Sequence, residues 1–129
     1  MENYNLEQFR GILKKITKDI FLNVCSQEDV KDICGFSLFS DGDASSISAA
    51  YNTQSYLKKK WANDPEEDKQ YYRWYPAEWK LEGIESDDLD GLSRMLFEVG
   101  TSDMVRGEGN FQDYRNATFS SIVKVLEEL

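Results

Sequence analysis

The chain has 129 residues, with 15 Lys and Arg against 24 Asp and Glu, a formal charge of −9 and no histidine. That length suits one domain with its own core, and 13% aromatic residues is too many for an acidic disordered chain. The charge disfavours phosphate backbones and anionic membrane surfaces, and the missing histidine removes Ser-His-Asp and Cys-His nucleophiles and imidazole metal ligands.

Leu6, Phe9, Leu13, Ile16, Ile20 and Val24 recur at spacings of three and four, which predicts a long helix over residues 4–24. Asn5 with Gln8 reads as its capping pair. A polar connection over 26–32 follows. The period then changes to two, with Cys34, Phe36 and Leu38 facing one way and Ile33, Ser37 and Phe39 the other, the pattern of a strand. Asp41-Gly42 signals a tight hairpin. A second strand is expected from Ala44 to about Tyr51, with Ile47 and Ala49 on its apolar side. Asn52-Thr53 provides an N-cap for a helix over about 53–62, with Tyr56, Leu57 and Trp61 on one face. Pro65 interrupts the acidic stretch that follows.

Residues 69–75 are the most aromatic stretch, and their β propensity predicts a third strand, ended by Pro76. Ser86 caps a helix whose buried stripe is Leu89, Leu92, Leu96 and Val99, with Asp87 and Asp88 in its first turn and Gly100 as its stop. Residues 101–109 read as a mobile loop. Asn110 then caps a last helix with Phe111, Tyr114, Phe119, Ile122, Leu126 and Leu129 on its apolar side. The expected architecture is α+β: a short antiparallel sheet of about three strands packed against N- and C-terminal helices, in a single domain over 1–129.

No apolar run approaches the roughly 20 residues that span a bilayer, and the opening Met1-Glu2-Asn3-Tyr4-Asn5 lacks the features of a signal peptide. A cytoplasmic location is therefore expected, with Cys25 and Cys34 free and largely buried.

Asp41-Gly42-Asp43 invites a calcium reading. The sixth and twelfth positions of an EF-hand loop, however, fall on Ser46 and Asn52, where Gly and Glu are needed. No cofactor and no divalent-cation site is expected. Arg106-Gly107-Glu108-Gly109-Asn110 precedes a helix but lacks the Lys-Ser/Thr pair of a P-loop. Lys58-Lys59-Lys60 reads as a solvated helix face.

Trp74-Tyr75-Pro76-Ala77-Glu78-Trp79 is the least ordinary segment. As a structural corner it would bury at least one tryptophan and pair Glu78 with a base such as Arg73. As a recognition surface it would present Trp74 and Trp79 as anchors. As a catalytic site it would hold Glu78 as a general acid in an aromatic pocket, with Asp41 or Asp43 as a second carboxylate.

Two segments carry a resemblance. One is Phe36-Ser37-Leu38-Phe39-Ser40-Asp41-Gly42-Asp43, continuing to Asn52-Thr53; the other is Tyr72-Arg73-Trp74-Tyr75-Pro76-Ala77-Glu78-Trp79. Together they resemble a bacterial family of small acidic domains of unknown function, with Tyr75 standing where the family pattern has Ser. The resemblance implies a small α+β protein of the bacterial cytoplasm and no established activity. Families of this kind often accompany toxin systems, some as immunity proteins.

The leading expectation is a non-enzymatic interaction module, possible partners being basic proteins such as a toxin, with Trp74, Glu78, Trp79, Asp41 and Asp43 as candidate binding residues. The alternatives are a hydrolase or transferase using Glu78 with Asp41 or Asp43, and a structural or self-associating domain.

Overall fold

The computed structural model describes residues 5–107 and 109–129. The protein is α+β, with helices at both ends of the chain and a three-stranded antiparallel sheet in strand order β1-β2-β3. It divides into two compact units, neither continuous in sequence. One comprises Met1–Ile20, Ser40–Ile47 and Ser86–Leu129; the other comprises Phe21–Phe39 and Ser48–Glu85.

The first unit is helical. Helix α1 (Leu6–Gln27) begins where Asn5 Oδ1 accepts from the Gln8 N–H at 3.0 Å, and its residues up to Ile20 belong here. Phe9, Leu13 and Ile20 are buried as the periodicity predicts, but the stripe passes through Thr17 rather than Ile16. Thr17 is fully buried and its Oγ1 has no hydrogen-bond partner among the described residues. A buried, unpaired hydroxyl costs free energy that an isosteric methyl does not. Thr17→Val is therefore expected to raise stability by about 1 kcal/mol in a urea melt; a loss of similar size would mean that the hydroxyl bonds after all.

Helix α4 (Asp87–Gly100) is capped by Ser86, whose side chain accepts from the Leu89 N–H, and buries Leu89, Leu92 and Leu96. A short helix α5 (Asp103–Arg106) stands where a mobile loop was expected. It is fastened by fully buried Val105 and by Arg106 Nε donating to the Gly100 carbonyl at 2.9 Å. Glu108, part of the glycine-rich stretch, lies outside the described residues.

Helix α6 (Phe111–Glu128) buries Tyr114, Thr118, Ser121, Ile122 and Val125. The expected stripe of Phe119, Leu126 and Leu129 is out of phase by one position. Serine can take a core position here because Ser121 Oγ donates to the Ala117 carbonyl at 2.8 Å and accepts from Arg10 Nε at 3.2 Å.

Segment 40–47 is longer than the tight hairpin expected at Asp41-Gly42, and the positive φ falls on Ala44 (55°), not on Gly42. Side-chain hydrogen bonds hold it within this unit. Ser93 Oγ accepts from the Ile47 N–H at 2.9 Å and donates to the Ile47 carbonyl at 3.1 Å. Arg115 Nε donates to the Gly42 carbonyl at 2.7 Å.

The second unit carries the sheet. Strand β1 (Ile33–Phe39) pairs with β2 (Ser48–Thr53), opposing Phe36 to Tyr51 and Leu38 to Ala49. The register shifts between Ile33 and Gly35, which bulges the strand at Cys34. The bulge breaks the period-two alternation, so Cys34 is exposed rather than buried, and Cys25 is half-buried. Central β2 is buried from Ala49 through Thr53. Thr53 then caps helix α2 (Gln54–Asn63), its Oγ1 accepting from the Tyr56 N–H at 3.2 Å.

The third strand, β3, is Leu81–Glu82, paired with β2. Residues 69–75, expected as that strand, instead contain helix α3 (Lys69–Trp74), started by Asp68 accepting from the Gln70 N–H at 2.9 Å. Capping and tertiary context override β propensity here, as they do for short aromatic runs with too few residues to show a period.

Candidate interaction surface

The six residues of α3 make about one and a half turns. Tyr72 consequently turns inward, while Tyr71, Trp74 and Tyr75 are 38%, 72% and 49% exposed. The three make up the exposed aromatic side of this segment, with Tyr71 and Tyr75 in ring contact. Tyr71 lies 5.2 Å from Tyr75 and 5.0 Å from Tyr72, ring centre to ring centre, and Trp74 Nε1 donates to Gln70 Oε1 at 2.7 Å. Pro76 starts a single 3-10 turn, Pro76–Glu78, that ends the helix direction.

Glu78 is held, as the corner reading expects, but by different partners: Lys60 Nζ at 3.6 Å and the Tyr71 hydroxyl at 3.4 Å rather than Arg73. Neither Trp74 nor Trp79 is buried, so the expected buried indole is absent from this corner. Trp79 is half-exposed and fixed at both ends. Its Nε1 donates to the Arg73 carbonyl at 3.1 Å, and its ring lies so close to Gly35 that a Cβ there would stand 3.0 Å from an indole carbon. A groove of about 310 Å³ is lined by Cys34, Gly35, Phe36, Gln54, Arg73, Trp74 and Trp79. Partial desolvation raises the Cys34 thiol above its ordinary range, against the lowering pull of the Arg73 charge.

Behind the face, Lys60 Nζ sits 5.5 Å from the Tyr56 ring centre and 5.9 Å from that of Tyr72. The lysine run is thus only partly a solvated face. The Tyr72 hydroxyl donates to Asp64 Oδ2 at 2.6 Å. That bond, with desolvation and the Asp64 charge behind it, pushes the phenol up to about 12. A raised folded-state pKa favours the neutral phenol, so this bond's contribution is intact below the ordinary phenol value of about 10 and is lost as pH rises towards about 12. Phenolate absorbance is therefore expected to include a tyrosine step well above the ordinary phenol value, and Tyr72→Phe to remove that step; an unchanged titration in the variant would contradict the assignment.

Asp41 and Asp43 belong to the other unit, Glu78 to this one. Asp41 organises its own turn: the Ser45 N–H donates to Oδ1 at 2.7 Å and the Ser45 hydroxyl donates to Oδ2. Partial desolvation raises its pKa, but the hydrogen bonds from Ser45 outweigh it and leave the carboxyl below its ordinary value. Asp43 is exposed. Among the described residues no group of three or more Cys, Asp and Glu is placed to hold a metal ion, and no helix is long and apolar enough to cross a membrane.

Sequence reasoning singled out Trp74, Glu78 and Trp79 but missed Tyr71, Gly35 and Gln54, and treated Arg73 only as an acid's partner. Gly35 carried a readable signal, since a glycine inside a strand often marks another group approaching the backbone closely.

An acidic α+β protein with an exposed aromatic face beside a small groove is the class that fold and surface define. Residues 13–129 match the family described as a domain of unknown function, DUF4303, and the chain belongs to that family. No curated protein and no solved structure matches it.

Proposed function

We propose that this is a non-catalytic interaction domain of the bacterial cytoplasm that binds a basic protein through the face formed by Tyr71, Trp74 and Tyr75. The observation that carries the reading is Trp74, 72% exposed yet positioned by its bond to Gln70. A large aromatic held in water contributes little to folding, and tryptophan and tyrosine are favoured interface anchors. The charge of −9 steers basic partners and repels nucleic acid. An immunity-type role, in which the face occludes a basic toxin, is the most concrete version. The catalytic alternative has less support, because Glu78 is engaged by Lys60 and Tyr71, and Asp41 by Ser45.

Affinity capture followed by titration calorimetry with the captured basic protein tests the proposal. The double variant Trp74→Ala/Tyr75→Ala is expected to lose about 30-fold or more in affinity, the effect of removing a hot spot. Its melting midpoint should stay close to that of the unaltered protein. Unchanged affinity in the double variant, or a captured partner that is not basic, would defeat the reading.

A further inference from the structure

We infer that the groove beside Trp79 is a binding site for a carboxylate carried on a flat apolar body. Arg73 supplies the charge. It forms no ion pair among the described residues, in a chain with 24 acidic side chains. Glu78, the acid that the corner reading pairs with Arg73, is engaged by Lys60 instead, and Asp32 accepts from the Ser55 N–H at 3.0 Å. The guanidinium carbon instead lies 5.8 Å from the Trp61 ring centre, on the wall of a groove that also holds Trp74, Trp79 and Phe36.

Each part has a chemical use. A guanidinium offers parallel N–H donors that match the two oxygens of a carboxylate. Indole faces stack on flat rings, and Trp79 is pre-set for this by its bond to the Arg73 carbonyl and its seat on Gly35. Gln54, also on the wall, adds an amide that can donate to an oxygen. The volume of about 310 Å³ lies at the small end of ligand sites, which suits one aromatic acid. The net charge of the chain acts over long range on a whole partner, whereas Arg73 acts at contact, so a basic partner and a bound carboxylate are compatible.

Both a free aromatic acid and an aromatic residue at the C-terminus of a peptide carry this chemistry. The probes are N-acetyl-phenylalanine, its neutral amide, and a pentapeptide ending in phenylalanine with a free or an amidated terminus. Tryptophan fluorescence and indole N–H shifts report binding to the full chain. The acids are expected to bind with Kd of about 1 mM or tighter. Amidation, or Arg73→Gln, should weaken binding by about tenfold or more, and Arg73→Lys should retain part of it.

Tighter binding of the peptide than of the free acid assigns the site to chain ends; the reverse assigns it to free acids. An amide that binds as well as the acid overturns the proposal, as does Arg73→Gln binding like the unaltered protein, or no binding of any probe. Should Arg73→Gln fail to fold, the acid-against-amide comparison decides alone. Partner affinity is read separately through Tyr75→Ala, a face residue outside the groove lining, so either reading can fail without the other.

Discussion

Replacing Tyr114 by alanine is expected to cost about 3–5 kcal/mol, the largest single loss foreseen for this chain. Its ring is fully buried on α6. Its hydroxyl lies 2.6 Å from the Ala44 carbonyl and 2.9 Å from the Leu96 carbonyl, so one phenol ties segment 40–47 and helix α4 to α6. Ala44 is itself fully buried and holds a φ of 55°, a conformation that an alanine keeps only when its surroundings fix it. Tyr114→Phe separates ring from hydroxyl. It should cost about 1–3 kcal/mol, because the one buried O–H that the two carbonyls share is lost while the packing is kept. Guanidinium melts of both variants measure this. A Tyr114→Phe midpoint equal to that of the unaltered protein would mean that the hydroxyl contributes nothing and that segment 40–47 is held without it.

The elements that could be read from sequence are those with a long period or a local cap. Helices α1 and α4 carry apolar residues over several turns, and Asn5, Thr53 and Ser86 are caps whose side chains bond as expected. What could not be read depends on tertiary partners. Ser121 is buried only because Arg10, 111 positions away, supplies a hydrogen bond. By sequence Gly100 reads as a helix stop. It ends α4 without a positive φ, and what it provides is room, since a Cβ there would stand 3.0 Å from the Tyr114 ring. The aromatic run at 69–75 favours a strand by composition, yet the cap at Asp68 makes it a helix and thereby turns Trp74 and Tyr75 outward. The same misreading hid the surface: in a strand, Tyr71, Tyr75 and Arg73 would share one face, whereas in α3 and its C-cap Tyr71, Trp74 and Tyr75 are exposed together.

Gly35→Ala is expected to cost about 1–3 kcal/mol, although alanine is otherwise the better residue in a strand. The added methyl would meet three carbons of the Trp79 ring at 3.0, 3.2 and 3.4 Å. The ring cannot simply slide away, because its Nε1 is bonded to the Arg73 carbonyl and Lys80, the next residue, donates its N–H to the buried Asn52 Oδ1 at 3.2 Å. Relief therefore requires either breaking the indole bond or moving the backbone that leads into β3. A double-mutant cycle isolates the contact. In a Trp79→Ala background the methyl no longer meets the indole, and Gly35→Ala should become neutral or stabilise by about 0.5–1 kcal/mol through its smaller loss of backbone entropy. An equal cost in both backgrounds would place the strain in the strand backbone at the Cys34 bulge instead of against the indole. In the unaltered background the substitution should also narrow the groove, because the displaced ring is one of its walls. Binding of N-acetyl-phenylalanine should then weaken together with stability, and restored stability without restored binding in the double variant would mark Trp79 as a wall that the ligand needs.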